Sequence, residues 1–262
     1  MMALDFHGKT AIITGAAGGF GQGAARLLAR CGARIVGVDR NAEALTRTIA
    51  SLPEVNGGHR AIVKDLRPAH AAGQVMAEAM AYLPGLDILV NSAGVCHFTP
   101  ADKITPEEWD EVLDVDLKSL YFMAVAAARV MNPQRGGRII NIGSNAGRKG
   151  RALSAHYAAA KAGVANVTES LALTYGPGGI TVNTVCPAVV LTPLWERNFE
   201  ELTGITGKSP EKLIREWTAS TPLRRLGTVE DVAGLIAFLA SDHAGFITGQ
   251  EINVCGGFML TC

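Results

Sequence analysis

Short apolar runs ending in glycine, aspartate or asparagine alternate along the chain with longer stretches whose apolar residues recur at helical spacing. The first pattern is that of strands buried on both faces in a parallel sheet, the second that of amphipathic helices. Residues 9–14 read as a first strand, and 34–38, 60–64, 86–90, 137–142, 180–185 and 250–254 as six more. After the first strand, Phe20, Ala24, Leu27, Leu28 and Cys31 share one helical face, and Gly32 is placed to end that helix. Further helices are expected over 41–51, 68–82, 105–131, 155–175 and 228–240. The third of these opens on Thr105-Pro106-Glu107-Glu108, a cap, a proline at the first turn and an acid three residues on. Thr228 with Asp231 opens the last in the same way. Only residues 188–221 break the rhythm, mixing prolines and glycines with Leu194, Trp195, Phe199, Leu202, Leu213 and Trp217. Two short helices near 193–203 and 209–219 are expected there, as a helical lid over a ligand cleft. With no linker or repeat, the pattern predicts an α/β fold: one Rossmann-type doubly wound parallel sheet of seven strands, a single domain over residues 1–262.

Composition narrows the functional classes. The chain is 48% hydrophobic and 18% charged, which suits a large core. Its 24 basic and 24 acidic residues cancel, so no global field favours nucleic acid or an anionic membrane. The N-terminus lacks the apolar segment of a signal peptide, and no apolar run approaches the ~20 residues of a membrane span. Five cysteines (31, 96, 186, 255 and 262), odd in number and without a C-x-x-C pair, suit reduced thiols in the cytoplasm. No His/Cys/carboxylate spacing suggests a metal.

The candidate chemistry falls just after strands. Gly15, Gly18, Gly19 and Gly21 follow the first strand and open a helix, where bare backbone N–H groups can approach a pyrophosphate. Asp39 ends the second strand, placed for the ribose hydroxyls of a dinucleotide and against a 2′-phosphate; the alternative is a cap for the helix that follows. Asp65, Asn91, Ser144 and Pro187 end or follow four other strands, and ligands of such sheets sit at that edge. Tyr157 and Lys161 lie four apart on one face of an alanine-rich helix. A free tyrosine titrates near ~10, and an ammonium beside it in a partly dry cleft favours the phenolate. A phenol tuned this way exchanges protons with an alcohol or carbonyl, and Ser144 could hydrogen-bond the same oxygen.

These residues together resemble the short-chain dehydrogenase/reductase family over essentially the whole chain. The T-G-x-x-x-G-x-G motif appears as Thr14, Gly15, Gly19 and Gly21, and N-N-A-G as Asn91-Ser92-Ala93-Gly94. Ser144 stands thirteen residues before the Y-x-x-x-K pair, and Pro187 to Thr192 match P-G-x-V-x-T. The resemblance implies Tyr157 as general acid/base, Lys161 as its partner and as a ligand of the nicotinamide ribose, and Ser144 positioning the substrate oxygen. It also implies a dinucleotide held by Gly15, Gly19, Phe20, Gly21, Asp39, Asp65, Leu66, Asn91, Ala93, Gly94, Tyr157, Lys161, Pro187, Val190 and Thr192. Asp39 makes that NAD rather than NADP. Three departures stand out: Ser92 for asparagine, Ala188 for glycine, and Asp116 for the asparagine of V-N-L-K-S. Asp116 counts among the catalytic residues, and an ionised carboxylate there should raise the pKa of Lys161 and, less directly, that of Tyr157.

For the small-molecule substrate, Ser144, Asn145, His97, Arg151 and Trp195 are the expected contacts, with Cys96, Arg148, His156 and Leu194 nearby. Arg148, Lys149 and Arg151 could hold a carboxylate or phosphate, or could simply be solvated. The A-G-R-K-G-R-A-L stretch resembles sugar-alcohol and diol dehydrogenases of the family. The expected activity is NAD-dependent interconversion of a secondary alcohol and a ketone on a small polyol, diol or sugar derivative. A 3-oxoacyl thioester reductase and a non-catalytic dinucleotide-binding regulator are the alternatives. The resemblance further implies a homotetramer, or a homodimer.

Overall fold

The computed structural model describes residues 4–132 and 134–260, so Cys262 lies outside them. Seven parallel strands form one sheet in the order β3-β2-β1-β4-β5-β6-β7: β1 (Thr10–Thr14), β2 (Arg34–Asp39), β3 (Arg60–Val63), β4 (Ile88–Asn91), β5 (Gly137–Ile142), β6 (Ile180–Pro187) and β7 (Glu251–Val254). The chain leaves β1 toward one edge, then returns to place β4 on its other side. The switch point therefore lies between β1 and β4, where such sheets open a crevice.

The strands read as unbroken apolar runs because both faces are covered. Ile13, Ile88, Val90 and Ile140 pack toward α1 (Gly19–Arg30) and α9 (Val229–Ala240), with α2 (Ala42–Ala50) at the margin. Their neighbours Ile12, Leu89 and Ile139 point the other way, toward α3 (Ala71–Met80), α5 (Ser119–Val130) and α6 (Ala155–Tyr175). Gly32, at φ +97°, ends α1 in a conformation that L side chains rarely adopt. Thr228 and Asp231 form the expected reciprocal cap of α9.

The helix expected over 105–131 is instead three pieces. α4 (Pro106–Leu113) and α5 flank a π-helical turn at Asp114–Lys118. The extra residue per turn brings Asp116 inward to 1% exposure, and side-chain periodicity alone does not report such a slip in the backbone ladder. The lid forms as α7 (Trp195–Thr206) and α8 (Pro210–Ser220), close to the expected ranges. Phe98 N donates to Glu201 Oε2 at 2.8 Å and Arg197 to the Cys96 carbonyl at 2.9 Å, tying α7 to the loop after β4. Among the described residues no helix is long and apolar enough to cross a membrane.

Candidate active site

A cavity of about 890 Å³ runs along the carboxyl edge of the sheet, from the end of β2 to the underside of the lid. The glycine turn forms its floor. A Cβ on Gly15, itself at φ +67°, would stand 2.7 Å from the Ser92 carbonyl oxygen. One on Gly21 would stand 2.3 Å from the Gly15 carbonyl oxygen. Gly21 thus packs the turn onto α1 without lining the cavity, whereas Gly15, Gly19 and Phe20 line it. α1 begins on Gly18 with no side-chain cap and no acid in its first turn. Its first N–H groups are left for an anion, which fits the pyrophosphate of a dinucleotide. Thr14 Oγ1 accepts from Ser92 N at 3.0 Å and Ala93 N at 3.1 Å, fastening the ends of β1 and β4 together.

Asp39 lines the cavity, and its two oxygens accept from Ala17 N at 3.1 Å and Asn41 N at 2.9 Å. It is not the cap of α2; Asn41 is, accepting from Ala44 N. Asp65 and Leu66 also line this end, and the Arg67 guanidinium 2.5 Å from Asp65 holds its carboxyl below the usual range. Asn91 corrects the expected set. It does not line the cavity, because its side chain turns into the interior and donates to Asn141 Oδ1 at 3.0 Å and the Leu120 carbonyl at 3.3 Å. The network continues from Asn141 to Thr168 and Thr184, cross-bracing the sheet beneath the site. Ala93, Gly94, Pro187, Val190 and Thr192 are where the sequence pattern puts them, on the cavity wall.

At the other end Ser144 leaves β5 and caps a short 3₁₀ turn, Asn145–Arg148, accepting from Ala146 N at 3.1 Å. Gly147 lets that turn lie on α6; a Cβ there would meet the Lys161 backbone at 2.6 Å. Tyr157 lines the same end of the cavity as Ser144, whose side chain lowers the pKa of the phenol. Lys161 Nζ lies 5.6 Å from the Tyr157 ring centroid and donates to the Ile142 carbonyl at 2.9 Å. The same Nζ is 2.9 Å from Asp116 Oδ1, an ion-pair contact without the alignment of a hydrogen bond, both side chains being nearly excluded from water. Asp116 Oδ2 accepts from Val95 N at 2.9 Å. Burial pushes the Asp116 carboxyl above its ordinary value, and Lys161 and the Val95 N–H pull it back.

The expectation that Lys161 depresses the Tyr157 phenol is not met in the protein by itself. Burial pushes Tyr157 well above the ordinary tyrosine value, Cys96 and Asp116 add to this, and the Ser144 side chain opposes it. The main physical reason is the loss of water around the phenolate, and the ammonium meant to favour it is in addition matched by a carboxylate 2.9 Å away. Burial likewise pushes the Cys96 and Cys186 thiols up to about 12, so neither is a nucleophile at neutral pH.

Among the expected substrate contacts, Asn145, Arg151 and Trp195 line the cavity. His97 does not: it sits behind the wall, 3.3 Å from Glu111 and 3.5 Å from Glu201. His156 is fully buried 2.9 Å from Glu108, and Arg148 pairs with Glu251 at 3.2 Å. Sequence reasoning missed Phe98, Asn198, Trp217 and Phe258 here, and Arg47 and Lys64 at the far end, where Arg40, expected to face solvent, also lines the cavity. Trp217 had a signal as an apolar lid residue; its ring lies 5.0 Å from that of Trp195. Among the described residues no His/Cys/carboxylate group could hold a metal ion.

Comparison with known proteins agrees with this geometry. Residues 15–259 match the family model described as enoyl-(acyl carrier protein) reductase. The chain is 37% identical over 264 residues to D-threitol dehydrogenase of Mycolicibacterium smegmatis, covering 99% of this chain and 97% of that one. It is 34% identical over 257 residues to the 3-oxoacyl-(acyl-carrier-protein) reductase FabG of Vibrio cholerae, covering 98% and 100%. A solved short-chain dehydrogenase/reductase of the glucose/ribitol dehydrogenase type from Brucella melitensis superposes with a TM-score of 0.89 at 30% identity, covering 99% and 100%. The chain therefore belongs to the short-chain dehydrogenase/reductase family, an oxidoreductase acting on alcohol groups with a nicotinamide dinucleotide.

Proposed function

We propose that the protein is an NAD-dependent oxidoreductase that interconverts a secondary alcohol and a ketone on a small polyol, diol or sugar derivative. The observation that carries this is that Ser144, Tyr157 and Lys161 line one cavity with the glycine turn and Asp39, Lys161 Nζ lying 5.6 Å from the Tyr157 ring centroid. When bound, the nicotinamide supplies the hydride acceptor or donor. Gly15, Gly19 and Phe20 with the start of α1 cradle the pyrophosphate, and Asp39 offers its carboxylate to the ribose hydroxyls while repelling a 2′-phosphate. Asp65 and Leu66 border the adenine, and Ala93, Gly94, Pro187, Val190 and Thr192 wall the inner half. In alcohol oxidation Tyr157 takes the hydroxyl proton, Ser144 holds the same oxygen by a hydrogen bond, and Lys161, paired with Asp116, stands beside the phenol to hold the nicotinamide ribose. In ketone reduction the phenol returns that proton.

The kinship with the threitol and glucose/ribitol dehydrogenases supports a polyhydroxylated substrate. A second reading, 3-oxoacyl thioester reduction, draws on the similarity to FabG and on Arg40, Arg47 and Lys64 at the adenosine end. Rates of NADH formation over polyols and diols, set against NADPH consumption with 3-oxoacyl thioesters, separate the two. Turnover confined to the thioesters with NADPH would replace the first reading by the second. Binding of NADH without turnover of any alcohol or ketone would leave only the dinucleotide-binding regulator. We place the protein in the cytoplasm as a homotetramer or homodimer, with exposed Trp109, Tyr121 and Phe122 on α4 and α5 available to another copy. Sedimentation equilibrium measures that mass.

A further inference from the structure

Charge is unevenly compensated around the cavity. At the catalytic end Lys161 and Asp116 neutralise each other across 2.9 Å. The other charged side chains lining it, from Asp39 through Asp65, sit on or just after β2, α2 and β3, at the adenosine end. Among the described residues that leaves one uncompensated charge beside Ser144 and Tyr157, the Arg151 guanidinium.

Arg151 is partly buried, and desolvation pulls its pKa down. Its Nη2 donates to Asn145 Oδ1 at 3.3 Å, a neutral acceptor that orients the fork without cancelling its charge. Its Nε is buried with no partner, and among the described residues no carboxylate pairs with it. It is near enough to Tyr157 for their charges to interact. By contrast, Arg148, three residues earlier, has Glu251 at 3.2 Å. From the lid, Asn198 lines the same cavity at 2% exposure, and its side-chain oxygen has no partner either. Buried polar groups left unsatisfied are uncommon in native proteins, and two lining one cavity point to a ligand that completes them. The complement of a guanidinium fork is a carboxylate or phosphate, and that of an amide oxygen is a hydroxyl.

We propose that Arg151 is the counter-ion for an anionic group on the substrate, and that Asn198 accepts from one of that substrate's hydroxyls. The substrate is then a polyhydroxy acid or a phosphorylated polyol rather than a neutral polyol. This rests on the oxidoreductase reading and narrows its substrate class. The anionic group takes no part in the redox step: the secondary carbon gives its hydride to the nicotinamide, its hydroxyl proton leaves through Tyr157, and a ketone carrying the same anion forms.

The test compares kcat/KM for NADH formation with a neutral polyol, the aldonate of equal chain length and the polyol's terminal phosphate. Wild-type protein should favour one of the anions at least tenfold, and which one distinguishes carboxylate from phosphate. Arg151→Gln should lower that anion-to-polyol ratio at least tenfold, chiefly through KM, and Arg151→Lys should restore part of it. Asn198→Asp, which sets a carboxylate in the same cavity, should lower the ratio by itself. Lys149→Gln removes an exposed cation outside the lining and should leave the ratio unchanged. A neutral polyol preferred by the wild type, or a ratio untouched by Arg151→Gln, overturns the inference while leaving the oxidoreductase standing. If no alcohol is turned over, the oxidoreductase reading fails, and calorimetric titration of the aldonate and the phosphate into NADH-loaded protein decides the rest. At least tenfold weaker binding of one anion in Arg151→Gln supports the subsite, and equal or undetectable binding of both in the two proteins overturns it.

Discussion

Replacing Asp116 by asparagine tests how this site sets the affinity of its phenol for a proton. The carboxylate is buried, lies 2.9 Å from Lys161 Nζ, and adds to the upward push on Tyr157. Lys161 Nζ is in turn 5.6 Å from the Tyr157 ring centroid, which puts the carboxylate within roughly 8 Å of the ring. A unit charge at that separation contributes about 1–2 kcal/mol at an effective dielectric of about 20–40, on the order of one pH unit. Removing a negative charge stabilises the phenolate, so the pKa of Tyr157 falls. Alcohol oxidation needs the phenolate, so the rising limb of kcat/KM against pH should move about one unit toward lower pH in Asp116→Asn. The amide still offers an oxygen to the Val95 N–H, so the fold should persist, which thermal unfolding checks. A limb that stays in place would mean the carboxyl is already neutral in the working range; a limb that moves upward would refute the electrostatic account altogether.

Two other substitutions probe the cofactor end. Asp39→Ser removes the carboxylate facing the ribose hydroxyls, so kcat/KM with NAD should fall about tenfold, roughly 1.4 kcal/mol, and that with NADP should rise; an unchanged NAD/NADP ratio would separate Asp39 from cofactor choice. Gly21→Ala places a Cβ 2.3 Å from the Gly15 carbonyl oxygen, a clash of backbone with no flexible partner to move. It should cost about 1–3 kcal/mol of stability and weaken NADH binding, read by denaturant unfolding and fluorescence titration; wild-type values of both would show that the turn can shift freely.

Much of this was legible in the chain because strand and helix periodicities alternate so regularly. Apolar runs such as Ile12–Ile13 go unbroken when both faces of a strand are covered, and the glycines after β1 mark a place where a side chain would come within 3 Å of backbone. Ser144, Tyr157 and Lys161 were legible because two lie one helical turn apart and the third ends a strand. What escaped depended on tertiary partners. Asn91 belongs to the right motif, but its side chain is claimed by Asn141 from the neighbouring strand. His97 and Arg148 looked like pocket residues until Glu111, Glu201 and Glu251 met them from distant elements. Asp116 and the direction of its effect on the phenol were visible as a departure, but the π-helical turn that carries it was not, because periodicity does not encode it. Asn198 and Phe258 carried no local signal, because only the closing of the lid and the C-terminal segment brings them to the cavity.

The central claim is that Tyr157 transfers the proton, and Tyr157→Phe tests it most directly. The phenylalanine keeps the ring and removes the hydroxyl that would exchange the proton. NADH affinity, followed by fluorescence, should stay close to wild type, while kcat for alcohol oxidation should drop about a hundredfold or more. Retention of activity within about tenfold of wild type, with the cofactor still bound, would contradict the assignment of Tyr157 as the acid/base.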